Sequence, residues 1–236
     1  MERQLAINVI GLSKKFEKQE ILKNINLSCE RGSITGIIGR NGSGKTVLFK
    51  CLCGLLIADG GEIYIDNIKQ KGKVESVGKI GAIIEKPDFL SHYTALQNLK
   101  LLYCIKNQWN QEIVEKYLEL VGLNPKSKKA VGKYSLGMKQ RLAIAQAIME
   151  EQDILILDEP MNGLDNQGVE DIRKLLLQLK KEGKTILLAS HNKEDICVLC
   201  DKVYEMDKGI LTNTKQKKVA ERDHIWYNNK KAEENK

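Results

Sequence analysis

Apolar and polar positions alternate in residues 5–34, between turn signals, which predicts antiparallel strands. The stretch Gly61-Glu62-Ile63-Tyr64-Ile65-Asp66 carries the same alternation and is expected to join them. Largely apolar runs at 34–38, 154–157 and 185–189 predict a different kind of strand, buried on both faces. From about residue 88 to 149 the period becomes helical. Ile113, Val114, Tyr117, Leu118, Leu120 and Val121 recur at helical spacing, and Gly122 with Pro125 mark the stop. Residues 47–52 and 142–149 also read as helix. After Leu211 the pattern fades into a polar tail, and no internal repeat is present. Strands alternating with helices imply an α/β fold.

Between the strand-like run 34–38 and the helix-like run 47–52 lies Gly39-Arg40-Asn41-Gly42-Ser43-Gly44-Lys45-Thr46, a complete G-x-x-x-x-G-K-T sequence. Glycines let backbone N–H groups turn inward around a triphosphate, and the next helix points its N-terminus at the same anion. Lys45 is placed to reach the β- and γ-phosphates of ATP, and Thr46 to offer a hydroxyl to Mg²⁺. The apolar run 154–157 ends in Asp158-Glu159-Pro160. Alone, this could be an ordinary acidic turn. Beside a phosphate loop, Asp158 is a metal ligand, acting through water, and Glu159 is the base that polarises an attacking water. His191 follows the third buried run. A histidine there is commonly a plain loop residue, but this one stands where a γ-phosphate sensor would.

Two further segments complete the set: Tyr134-Ser135-Leu136-Gly137-Met138-Lys139-Gln140-Arg141, and the turn Asn162-Gly163-Leu164-Asp165. Taken in order, the five motifs resemble the ATP-binding cassette (ABC) ATPases of transporters, over roughly residues 5–211. The resemblance implies a P-loop NTPase core with an antiparallel β subdomain and an inserted α-helical lobe. Residues 1–87 and 150–212 would form the core, 88–149 the lobe, and 213–236 a polar basic tail, all within one domain. It implies that Ser135 and Gly137 belong to the family signature, which contacts ATP held by a second copy. Asp165 would lie in the turn crossing the dimer interface, His191 would be the switch histidine, and Phe16 would stack on adenine.

The sequence departs from the family pattern twice. Leu136 replaces the first of two adjacent signature glycines. Glu85 stands where glutamine normally touches Mg²⁺ and the membrane subunit, exchanging a neutral oxygen for a charged one. The stretch Gly81-Ala82-Ile83-Ile84-Glu85-Lys86-Pro87 resembles the branch serving bacitracin resistance and lantibiotic immunity.

Composition limits what the chain can do alone. Its 236 residues are 42% hydrophobic and 29% charged, which fits a soluble globular protein. No apolar stretch approaches the ~18 residues of a membrane span, and the start lacks a signal-peptide pattern. Six cysteines without an export signal imply reduced thiols, and the C-x-x-C at Cys197 and Cys200 lacks the second pair that zinc requires. The net charge is +7, with Lys208, Lys215, Lys217, Lys218, Arg222, Lys230, Lys231 and Lys236 near the C-terminus. Such a tail could be solvated, or could meet anionic lipid or nucleic acid. The expected protein is a cytoplasmic ATPase, peripheral on the inner face of the membrane. It would pair in an ATP-dependent homodimer or pseudo-symmetric dimer, with integral membrane permease subunits on separate chains. The expected cargo is an antimicrobial peptide or lantibiotic. The alternative is a nucleic-acid- or ribosome-acting ATPase of the same superfamily, although nucleic acid is not expected as a partner. A cytosolic kinase would leave the signature and His191 without a purpose.

Overall fold

A computed structural model describes residues 4–70 and 80–214. The basic residues from Lys215 onward, together with Trp226 and Tyr227, lie outside the described residues. The chain runs β1 (Leu5–Phe16), β2 (Gln19–Glu30), β3 (Ile34–Ile38), α1 (Lys45–Leu52), β4 (Gly60–Ile65), β5 (Ile68–Lys69) and β6 (Ile80–Ile83). Helices α2 (Ala95–Tyr103), α3 (Gln111–Leu120) and α4 (Leu136–Ile148) follow. The remainder is β7 (Ile154–Asp158), α5 (Asn166–Lys181), β8 (Thr185–Ala189), α6 (Lys193–Leu199), β9 (Lys202–Asp207) and β10 (Ile210–Thr214).

The strands form two sheets. One is antiparallel, in the order β2-β1-β4-β5. The other has the order β10-β9-β3-β8-β7-β6 and is parallel apart from the β9–β10 hairpin. Alternation explains why the central strands are largely apolar. Ile154, Ile156, Leu187 and Ala189 join the core shared with β1, β2, β4 and α1. Leu155, Leu157, Ile186 and Leu188 join the core shared with α2 to α6. Each face of the parallel sheet thus has its own hydrophobic layer, and a polar residue on either face would be buried without water.

Two boundaries differ from the sequence pattern. The helix expected at 142–149 begins at Leu136, because the Ser135 hydroxyl caps it by accepting the Met138 N–H at 3.2 Å. Gly137 therefore lies in a first helical turn. The polar tail expected from residue 213 begins later, since β10 continues to Thr214. There Asn213 pairs with Tyr204 and Thr214 with Val203. Backbone pairing at the edge of a sheet does not require apolar side chains, so hydropathy missed it. Among the described residues, no helix is long and apolar enough to cross a membrane.

Asn98 fixes the path from β6 into the helices. Its buried amide accepts the Leu90 N–H at 2.8 Å and donates to the carbonyls of Leu90 (3.1 Å) and Thr94 (3.0 Å). Asn98→Ala should cost about 2–3 kcal/mol by orphaning these groups. Chemical denaturation checks this, and limited proteolysis should show faster cleavage near residues 88–94.

Candidate active site

The loop after β3 is built around its lysine. Gly44 adopts φ 114° and ψ −1°, a left-handed conformation that glycine tolerates and side chains resist. It precedes α1 without a side-chain cap, so the helix presents its first N–H groups free of any side-chain acceptor. Lys45 is buried, and its Nζ donates to the carbonyls of Gly39 (2.7 Å) and Arg40 (3.2 Å). The loop is braced from two sides. The Gly209 N–H donates to Ser43 O at 3.0 Å, while Ile21 and Leu22 of β2 press against Gly44. Ser43 Oγ is buried with no partner. Uncapped N–H groups, an orphaned hydroxyl and an ammonium held only by carbonyls form a donor-rich cradle that fits a polyphosphate. Arg40, Asn41 and Gly42 form its exposed rim.

The carboxylates reach the same place from β7. Thr46 Oγ1, in the first turn of α1, donates to Asp158 Oδ2 at 2.6 Å. Glu159, next in the chain, turns at φ 50° while its N–H donates to Ala189 O on β8 at 3.0 Å. One Glu159 oxygen, Oε2, accepts the His191 N–H at 3.3 Å and lies 2.8 Å from His191 Nδ1. The other, Oε1, is buried with no partner among the described residues. Glu85 also has positive φ, at 63°, and its carboxylate accepts from Lys50 Nζ at 2.6 Å. Lys50 lies one helical turn beyond Thr46, so both project from one face of α1. The hydroxyl of Thr46 and the carboxylates of Asp158 and Glu85 are the hard oxygen donors that suit Mg²⁺.

The remaining candidates form a second group. Gly137 lies so close to the Asn162–Asp165 turn that a β-carbon there would sit 2.8 Å from Gly163 O. Exposed Leu136 covers Gly163 on its other side. Asp165 caps α5 by accepting the Gly168 N–H at 2.8 Å. The signature segment and this turn are therefore packed as one unit, and the cap hydrogen bonds of Ser135 and Asp165 stay within their own helix ends. Phe16 ends β1, half-exposed, with Lys14 Nζ 5.4 Å from its ring centre.

A family model described as ABC transporter matches residues 22–162. The chain is 43% identical over 217 residues to an uncharacterised ABC transporter ATP-binding protein, YybJ of Bacillus subtilis, covering 92% of this chain and 99% of that protein. It is 39% identical to the bacitracin transport ATP-binding protein BcrA of Bacillus licheniformis, covering 95% of this chain and 72% of BcrA. It is 33% identical to the lantibiotic transport ATP-binding protein SrtF of Streptococcus pyogenes, covering 94% and 96%. This chain belongs to the ABC transporter ATPases. Its fold matches a dimeric post-hydrolysis structure of the ATP-binding cassette MJ0796 bound to ADP and phosphate, with TM-score 0.82 and 25% identity. That match covers 89% of this chain and 98% of the other.

As an ABC ATPase, the chain binds and hydrolyses ATP, and its α/β core with an antiparallel sheet and helices is the expected one. Several contacts in this cassette were not legible as site features. Gln140 Nε2 donates to Pro160 O at 3.0 Å, tying α4 to the segment that follows Glu159. Arg141 joins α4 to α5 through Asp171 at 3.0 Å. Both residues lie inside the quoted signature stretch, and their position there was the available signal. Lys50 had only its spacing from Thr46.

Gly44→Ala should force a side chain into a left-handed conformation and set a methyl 2.9 Å from Met206 Cε and 3.2 Å from Ile21 O. ATP affinity measured by calorimetry should fall at least about 10-fold, since the cradle distorts.

Proposed function

We propose that this cassette powers a membrane exporter that expels an antimicrobial peptide of the bacitracin or lantibiotic kind. One observation carries the hydrolytic part: Glu159 has one oxygen held by His191 and the other buried without a partner. A buried carboxylate oxygen with no donor needs one, and an attacking water supplies it. Glu159 then takes the water's proton, while His191 holds the carboxylate in place and faces the γ-phosphate. Residues 39–46 cradle the phosphates, with Lys45 exchanging its loop carbonyls for phosphate oxygens. Mg²⁺ would be held by Thr46, Asp158 and Glu85, and would neutralise phosphate charge. Phe16 takes the adenine.

Ser135, Gly137 and Asp165 complete the site from a second copy. Their packing as one unit with the Asn162–Asp165 turn, and their separation from residues 39–46 in sequence, support that reading, as does the dimeric form of the similar MJ0796 cassette. The two copies work at the inner face of the membrane against permease subunits on separate chains. The peptide class is supported by the likeness to BcrA and SrtF, together with Glu85 in place of the family's glutamine.

Glu159→Gln should lower ATP hydrolysis by about 10²–10⁴-fold while ATP still binds. Cells carrying the cassette with its companion membrane chain should resist bacitracin or a lantibiotic, and Glu159→Gln should abolish that resistance. Equal sensitivity with and without the native pair would refute the peptide class. In the Glu159→Gln background, light scattering should show an ATP-dependent dimer that Ser135→Arg abolishes. A dimer that persisted would remove Ser135 from the interface.

A further inference from the structure

A buried polar chain stands behind the switch histidine. Ser190 joins β8 to His191. Its Oγ donates to Asp195 Oδ2 at 3.1 Å and accepts the Asn192 N–H at 3.0 Å. Asp195 lies in the first turn of α6, and its Oδ1 accepts from Arg173 Nε (3.0 Å) and Nη2 (2.6 Å). Arg173 belongs to α5, and its Nη1 also meets Glu170 at 2.7 Å and Glu194 at 3.3 Å. Ser190, Arg173 and Asp195 are only 3%, 5% and 2% exposed. Burial alone would lower the pKa of the Arg173 guanidinium, but its hydrogen bonds to Glu194, Asp195 and Glu170 outweigh that and raise it.

The arrangement fixes one backbone hinge from three directions. The Ser190 N–H donates to Ile37 O on β3 at 3.3 Å, and the Glu159 N–H donates to Ala189 O at 3.0 Å. The third hold is the Ser190 side chain on Asp195. The His191 side chain itself is 61% exposed, and its hydrogen-bond partner is Glu159. The position of the imidazole therefore follows the position of its backbone. A buried ion pair adds little stability over apolar residues of equal volume, so its distinctive contribution here is direction.

We propose that Arg173 and Asp195 are positioning residues for hydrolysis: through the Ser190 hydroxyl they hold the His191 backbone where its ring engages one Glu159 oxygen and leaves the other free. This rests on the reading of Glu159 and His191 as the hydrolytic pair. Arg173 orients Asp195, Asp195 orients Ser190, and none of the three touches the nucleotide.

The test uses the full chain with Ser190→Ala, Asp195→Asn and His191→Ala, singly and with each of the first two combined with the third. The readouts are kcat for ATP with Mg²⁺ supplied, the Kd of a fluorescent ATP analogue, and the ¹⁵N resonances of the His191 ring. Ser190→Ala should lower kcat about 10-fold or more while Kd stays within about 2-fold, as expected for a misplaced catalytic group. The His191 ring resonances should shift. In the His191→Ala background, Ser190→Ala and Asp195→Asn should cause no further loss, because residues acting as a unit are not additive. If Asp195→Asn fails to fold, Ser190→Ala decides, since it leaves the ion pair whole. A Ser190→Ala chain with native kcat and unshifted resonances, beside an impaired His191→Ala chain, would overturn this inference alone. So would a loss confined to Kd, or additive losses in the double variant. Native hydrolysis by His191→Ala would overturn the reading of the pair, and this inference with it.

Discussion

The parallel ladder joining β3, β8 and β7 sets the level at which every reactive group stands. Gly36 pairs with Leu188, and Leu188 with Leu157, so the three strands end together. At or just past those ends lie residues 39–46, His191 and the Asp158-Glu159 pair. A doubly wound sheet collects ligands at the carboxyl ends of its strands. In this chain the rule has a concrete form, because the ladder continues into the site as the Glu159 N–H on Ala189 O and the Ser190 N–H on Ile37 O. Sliding one strand by one residue would exchange the side chains facing the two cores and lift one catalytic segment out of register.

Much of this was legible in the linear pattern. Strands buried on both faces are largely apolar, so 34–38, 154–157 and 185–189 announced themselves. The loop at 39–46 was legible because phosphate binding constrains both residue type and spacing. The carboxylates were legible from their place after a buried run. Other features left no trace in periodicity. The start of α4 depends on a serine hydroxyl meeting a backbone N–H, which outweighs the weak helical propensity of Gly137. The Glu85–Lys50 pair and the Ser190–Asp195–Arg173 chain join residues separated in sequence, and a charged residue in a linear pattern does not reveal its partner. The extent of β10 depends on backbone pairing to β9, to which hydropathy is blind.

The helices do more than cover the sheet. α5 begins at the Asp165 cap, receives Arg141 from α4 at Asp171, and grips α6 through Arg173. Residues 134–141, the turn after β7 and the segment carrying His191 are thus linked to one rigid element. In the proposed pair of copies, such a link would let contacts made by residues 135–137 bear on Glu159 and His191 of the same chain. Rigid secondary structure with few arrangements is the kind of path along which coupling travels.

On the proposed function, ATP is cleaved where the ends of β3, β7 and β8 converge, with the unpartnered Glu159 oxygen directing the water. The most direct measurement is a high-resolution structure of the chain with Mg²⁺ and a non-hydrolysable ATP analogue. The triphosphate should lie within residues 39–46, the metal beside Thr46 and Asp158, and an ordered water on Glu159 Oε1. A nucleotide bound elsewhere, or a Glu159 Oε1 that still faces no water with the nucleotide in place, would contradict it.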